Sequence, residues 1–188
     1  MPRAGLTGAD VVASAAGLAD EIGFHAMTMG LLAARLGVRA PSLYKHVGGL
    51  GDVRHRLAIL AVTELGETVR DAAAGRSGRD ALAAVLSAIR AYVSAHPGRW
   101  AATIGTEYAG PDDPLAAAGA RVMNLIAAVL RGYGLGEDEM SHAIRVIRST
   151  VHGFAALEAA RGFQWDAEPD QSFEWMIGFL DRGLRPAV

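Results

Sequence analysis

Cysteine is absent from this 188-residue chain. Its absence excludes disulfides, zinc–thiolate sites, iron–sulfur clusters and thiol nucleophiles together. Lysine is nearly absent, Lys45 being the only one among 18 basic residues. Net charge is missing too, since those 18 stand against 20 Asp and Glu for a formal −2. A balance of that kind argues against nucleic acid as a partner unless the charge is segregated along the chain. No apolar run approaches the ~18 residues needed to span a bilayer; Leu125 to Leu130 is among the longest. The opening MPRAGLTGADVV carries one Arg but no apolar stretch of the signal-peptide kind. The expectation is a soluble, cytoplasmic protein without a membrane partner. The chain also lacks a G-x-S-x-G elbow, a phosphate-binding glycine loop and any metal-ligand spacing. The reading is therefore no enzyme, no cofactor and no metal.

What is present is apolar and helical. Hydrophobic residues make up 51% of the chain, too many for intrinsic disorder. They recur at steps of three and four: Val11, Ala15, Leu18 and Ile22; Leu82, Leu86, Ile89 and Val93; Val122, Ile126, Val129 and Tyr133; Ile144, Ile147, Val151 and Phe154. No segment alternates with period two, so the expected class is all-α. Glycine and proline punctuate the stripes and predict about nine helices: 7–22, 29–36, 41–47, 51–74, 79–95, 99–109, 114–132, 137–161 and 170–184. Three short helices give way to long ones near residue 50, which predicts a module over 1–50 joined to a larger helical body over 51–188.

The module carries its own punctuation. Thr7 with Asp10 is a capping-box pair, and Thr28 is a second N-cap. Gly37 ends the second helix, and Pro41 opens the third, where its missing N–H costs nothing. Two short helices across a glycine-containing turn are the signature of a helix-turn-helix. Leu32, Ala33, Leu36, Val38, Leu43 and Val47 supply a buried side, leaving Ser42, Tyr44, Lys45 and His46 outward. Hydroxyls and amines suit phosphates, and the remaining types suit base edges and thymine methyls. Charge is segregated in this direction. Residues 35–56 hold Arg35, Arg39, Lys45, Arg54 and Arg56 against Asp52, a local +4, while the chain from residue 57 onward sums to −4.

The run Gly23-Phe24, Thr28-Met29, Leu32-Ala33, Leu36-Gly37-Val38, Pro41-Ser42-Leu43-Tyr44 and His46-Val47 resembles the TetR family of bacterial transcriptional regulators. His152-Gly153-Phe154 resembles a motif of one C-terminal subgroup of that family. The resemblance implies a homodimeric repressor that binds palindromic double-stranded operator DNA and answers to a small-molecule effector. It places Thr28 on a phosphate, and Arg39, Ala40 and Pro41 at base edges and thymine methyls. It places Ser42 and Tyr44 on phosphates, and Lys45 and His46 at mixed positions. Two departures stand out. Gly48-Gly49-Leu50-Gly51-Asp52 stands where the family usually has a lysine at the start of the fourth helix, leaving Arg54 or Arg3 to take over that phosphate, and Gly30 replaces a base-reading arginine of some members. The alternative function is a helical ligand-binding or protein-interaction module with weakened DNA binding.

In the body, the last two helices carry apolar residues on more than one face. Phe173, Ile177, Leu180 and Leu184 form one stripe, with Trp175, Met176 and Phe179 beside it. A second apolar stripe points to a copy of the same chain as partner. The family's effector site implies Trp100, Ile104, Tyr108, Met123, Ile126, Arg148, His152 and Trp165 as ligand contacts, with Glu107 as a charged anchor.

Overall fold

The computed structural model describes residues 5–166 and 168–185. Among them are nine α-helices and one 3-10 turn, with no strand. In chain order the helices are α1 (Gly8–Ile22), α2 (Met29–Leu36), α3 (Ala40–Leu43), α4 (Leu50–Ala73) and α5 (Gly78–Ala95). There follow α6 (Pro97–Ala102), α7 (Pro114–Leu130) with the 3-10 turn Arg131–Tyr133, α8 (Glu137–Ala159) and α9 (Pro169–Leu184). The all-α expectation holds.

Local chemistry sets the helix starts and stops. Thr7 Oγ1 accepts the Asp10 N–H at 3.2 Å while the Asp10 carboxylate accepts the Thr7 N–H at 2.8 Å, a reciprocal capping box. Gly37 ends α2 at φ 67°, where a side chain would be strained, and its N–H returns to the Ala33 and Ala34 carbonyls.

Two predicted helices are shorter than the spacing implies. The third stops at Leu43 instead of 47; His46 N–H and Val47 N–H both return to the Leu43 carbonyl, at 2.9 and 3.1 Å. Gly49, at φ 121°, redirects the chain immediately afterwards. A segment this short recovers little of the cost of nucleating a helix, so the turn after Leu43 competes with its extension. The predicted helix over 99–109 stops at Ala102. Beyond it the Asp113 carboxylate takes the Ala109 N–H at 2.6 Å, which satisfies that backbone group without a helix.

The chain divides into two compact units. The first comprises Met1–Thr63 and His96–Ala118. Its core is built from Val11, Ala15, Met27, Leu32, Leu43, Val53 and Leu57, all with no solvent exposure. In it α1 packs against α2 and α6, and α2 against α3. Asp20 seats α6 on α1: Oδ1 accepts the Arg99 N–H at 2.9 Å, and Oδ2 lies 3.1 Å from Arg99 Nε and 3.3 Å from His96 Nδ1. Asp113 is the N-cap that its place before Pro114 implies. It is buried, accepts the Leu115 N–H at 2.8 Å and meets His55 Nε2 at 2.9 Å. The Ala109 N–H foremost, then Leu115 and His55, hold its carboxyl below the usual range against the opposing effect of desolvation.

The second unit comprises Glu64–Ala95 and Gly119–Val188. Here α5 packs on α8 and α9, with Leu86, Ile147 and Ile177 fully enclosed. Arg90 joins these three helices: its guanidinium bonds the Glu158 carboxylate and Asp170 Oδ1, the latter at 2.7 Å. It lies 4.7 Å from the Phe173 ring centre and 5.4 Å from that of Phe154. The Phe of the His-Gly-Phe run is therefore a packing residue under a paired arginine. Tyr133 and Asp181 form a second buried polar pair, with Tyr133 Oη donating to Asp181 Oδ1 at 2.9 Å and Arg185 donating to Oδ2 at 2.8 Å.

One stretch, Pro114–Tyr133, is long and apolar enough by composition to cross a membrane. Its buried residues Leu115, Ala118, Val122, Ile126 and Val129 recur at helical spacing, the pattern of a core helix.

Candidate nucleic-acid interface

The helix-turn-helix is assembled on a buried strip. Leu32, Ala33, Leu43 and Val47 are buried and Leu36 and Val38 half-buried, which fixes α2 and α3 against the rest of the first unit. The opposite side carries the polar candidates. Arg39, Pro41, Tyr44 and Lys45 are exposed, and Ala40, Ser42 and His46 are half-buried. Tyr44 is 59% exposed, too open for a packing aromatic. Because α3 ends at Leu43, Tyr44, Lys45 and His46 project from the turn beyond it rather than from a continuous helix face.

Thr28 is exposed, and its Oγ1 accepts the Leu31 N–H at 3.2 Å. That bond occupies an acceptor lone pair and leaves the hydroxyl proton available to donate, the polarity a phosphate requires. The position of Gly30 is open: a Cβ there would meet nothing nearer than Thr28 Oγ1 at 3.9 Å.

Sequence charge overstates the basic surface. Arg35 is held by Glu21 in a two-pronged pair at 2.5 and 2.8 Å, and Arg56 by Asp52 at 2.8 Å. Asp52 also accepts the Gly48 N–H at 2.7 Å. Arg54, the expected replacement for the missing lysine, points elsewhere. It donates to the His25 carbonyl at 3.0 Å and the Met27 carbonyl at 3.4 Å, and lies 5.5 Å from the Phe24 ring centre. Arg3, the other replacement, lies outside the described residues. Among the described residues Arg39 and Lys45 are the two cations of the 35–56 segment without an acid or hydrogen-bond partner. No spacing signal distinguishes them from Arg35, whose acid is 14 positions away.

The fate of Arg54 is testable. Arg54→Met is expected to destabilise the fold by about 1–2 kcal/mol, by stripping two carbonyls of their donor. It should leave the salt dependence of DNA binding unchanged. Chemical denaturation and titrations at several salt concentrations would check both. A flattened salt dependence would return Arg54 to the phosphate backbone.

The effector candidates are divided between the two units. Trp100, Ile104 and Tyr108 belong to the first unit, where Trp100 is half-buried and the other two are exposed. Glu107 lies beside them on the same exposed stretch. In the second unit Ile126 is buried, Met123 and His152 half-buried, and Arg148 and Trp165 exposed. Desolvation, then the charge of Arg148, pushes the His152 imidazole below its usual pKa, so it stays neutral near pH 7. Each unit carries an open surface cleft. The first, about 430 Å³, lies between the end of α1 and α6, and the second, about 550 Å³, lies beside Arg90. None of the eight candidates lines either cleft.

Comparison with known proteins bears on the module and the body separately. Residues 11–48 match the family described as bacterial regulatory proteins, tetR family, and residues 82–180 match the tetracyclin repressor-like C-terminal domain. An uncharacterized HTH-type transcriptional regulator of Mycobacterium tuberculosis is 32% identical over 174 residues, covering 93% of this chain and 79% of that one. A protein of unknown function from Rhodococcus sp. RHA1 superimposes with TM-score 0.83 at 23% identity, covering 98% of both chains. BioQ, solved with its natural double-stranded DNA operator, superimposes with TM-score 0.67 at 21% identity, covering 97% of this chain and all of that one.

Proposed function

Because the chain belongs to the TetR family of DNA-binding transcriptional regulators, we propose that it is a homodimeric, effector-released repressor of a palindromic operator. In this reading residues 1–50 bind DNA, and residues 51–188 hold the effector and the dimer surface. The observation that carries it is the face around α3. Arg39 and Lys45 have no acid or hydrogen-bond partner among the described residues and stand beside an open Tyr44, and Thr28 keeps a hydroxyl proton to donate. Phosphate contacts from Thr28, Ser42 and Tyr44 position the module, Lys45 and His46 reach phosphates and base edges, and Arg39, Ala40 and Pro41 face base edges. A fold neighbour, BioQ, was solved with its own double-stranded operator, which supports DNA as the partner of this fold. Operator binding puts the protein in the cytoplasm with its DNA.

Support for the dimer comes from the second unit. Val146, Thr150, Gly153 and Leu157 follow helical spacing along α8, the outer two exposed and the inner two small and half-buried. On α9, Trp175 is 67% exposed and stacks on the exposed Phe179 at 5.4 Å between ring centres. Met176 joins the core with Phe173 and Ile177, so the outward stripe narrows to those two aromatics. Binding both half-sites of a palindrome requires two recognition elements about 34–36 Å apart, one DNA turn. An effector that binds better at another spacing lowers operator affinity by its preference between the two states.

The test uses the whole purified protein, DNA selected from a random pool and sedimentation. A dimer that enriches a palindrome is the expected result. Lys45→Ala should weaken binding at least tenfold and reduce the slope of log affinity against log salt by about two, one per subunit. A monomer, an unenriched pool, or Lys45→Ala and Tyr44→Ala variants that bind like wild type would overturn this reading.

A further inference from the structure

The second inference rests on operator binding through α3 and concerns which base is read. We propose that Arg39 reads a guanine in each operator half-site and is the main source of hydrogen-bonded base specificity. The element that presents side chains to the groove is very short. With α3 ending at Leu43, the side chains at its leading end are those of Arg39, Ala40, Pro41, Ser42 and Leu43. Leu43 is fully buried. Ala40 and Pro41 carry no hydrogen-bonding side-chain group, and Ser42 is half-buried and short.

Arg39 alone combines reach, exposure and a set of donors. It sits in extended backbone at φ −81° and ψ 142°, and its side chain makes no capping bond to α3. The neighbouring arginines are committed: Arg35 to Glu21, Arg56 to Asp52 and Arg54 to two carbonyls. Lys45 lies beyond the helix and is a single point charge, suited to phosphate.

The base follows from the chemistry of the group. A guanidinium has five N–H donors and no acceptor. In the major groove, guanine alone offers two adjacent acceptors, N7 and O6. Adenine pairs one acceptor with a donor, thymine one acceptor with a methyl, and cytosine presents a donor. A planar fork therefore finds two matched partners only on guanine.

The experiment selects DNA from a random pool with the full-length wild type, Arg39→Ala and Arg39→Lys. Arg39 is exposed and has no partner among the described residues, so both variants should melt like wild type. Wild type is expected to enrich a guanine at one symmetric position of each half-site. Arg39→Ala should lose preference there by about tenfold or more while keeping the rest of the site. Arg39→Lys should keep the salt dependence but blur the guanine preference. Arg39→Ala weakening every sequence equally, with guanine retained and a flatter salt dependence, would make Arg39 a phosphate contact and overturn the inference. A wild type that enriches no site at all would instead overturn the operator reading on which it rests.

Discussion

Gly98→Ala is expected to destabilise the protein by about 3 kcal/mol or more, a large effect for one added methyl. A Cβ at position 98 would lie 2.0 Å from the Ala19 carbonyl oxygen and 2.5 Å from the Asp20 amide nitrogen. Both atoms are backbone, so no rotamer change can make room. The helices would have to separate, and separation would strain the bonds from Asp20 to the Arg99 N–H and to the Arg99 and His96 side chains. Glycine is needed here for close approach, not for a left-handed turn. Gly51→Ala is the control, because a Cβ there meets nothing within 4 Å and α4 should gain up to about 1 kcal/mol from the better helix former. Urea denaturation of the two variants would check the contrast. Equal stabilities would mean that α1 and α6 do not meet backbone to backbone.

Asp181→Ala should cost about 2–4 kcal/mol near neutral pH, the second large effect. The carboxylate is buried and accepts from Tyr133 and Arg185, so its removal leaves a buried hydroxyl without an acceptor. Burial pushes its carboxyl up, but the bonds from Tyr133 and Arg185 and the charges of Arg185 and Arg79 outweigh burial and hold it below the usual range. A folded-state pKa below the unfolded one gives stability that is complete above about pH 4, the unfolded value, and is lost as pH falls through the folded value. The difference between wild type and Asp181→Ala should therefore shrink on acidification below about pH 4. Tyr133→Phe, which keeps the Arg185 pair, should lose less. A gap constant from pH 7 to pH 3 would show that the ionised form contributes nothing special.

Much of the helix-turn-helix was legible because its determinants are local. Thr7 with Asp10 and Thr28 with Leu31 act across three residues, and Gly37 acts at its own position. The buried strip of Leu32, Ala33, Leu43 and Val47 follows helical periodicity. The length of α3 was not legible in the same way. Hydrophobic spacing continues to Val47, and the backbone past Leu43 satisfies that spacing with tight turns instead of a helix.

The electrostatic surface was the least legible part, for one reason. A charge count cannot tell a free cation from a paired one, and pairing is decided between residues distant in sequence. Arg35 meets Glu21 across 14 positions, Arg54 reaches His25 across 29, Asp20 meets the Arg99 amide across 79, and Arg90 meets Glu158 and Asp170 across 68 and 80. By itself the sequence determined the all-α class, the caps and the buried strip of the helix-turn-helix, because these follow from spacings of three and four residues. Only the tertiary structure decided that Arg54 turns inward, that Arg35 and Arg56 are neutralised and that Arg39 and Lys45 stand open. Those outcomes depend on which distant segments the packed core brings within hydrogen-bond reach.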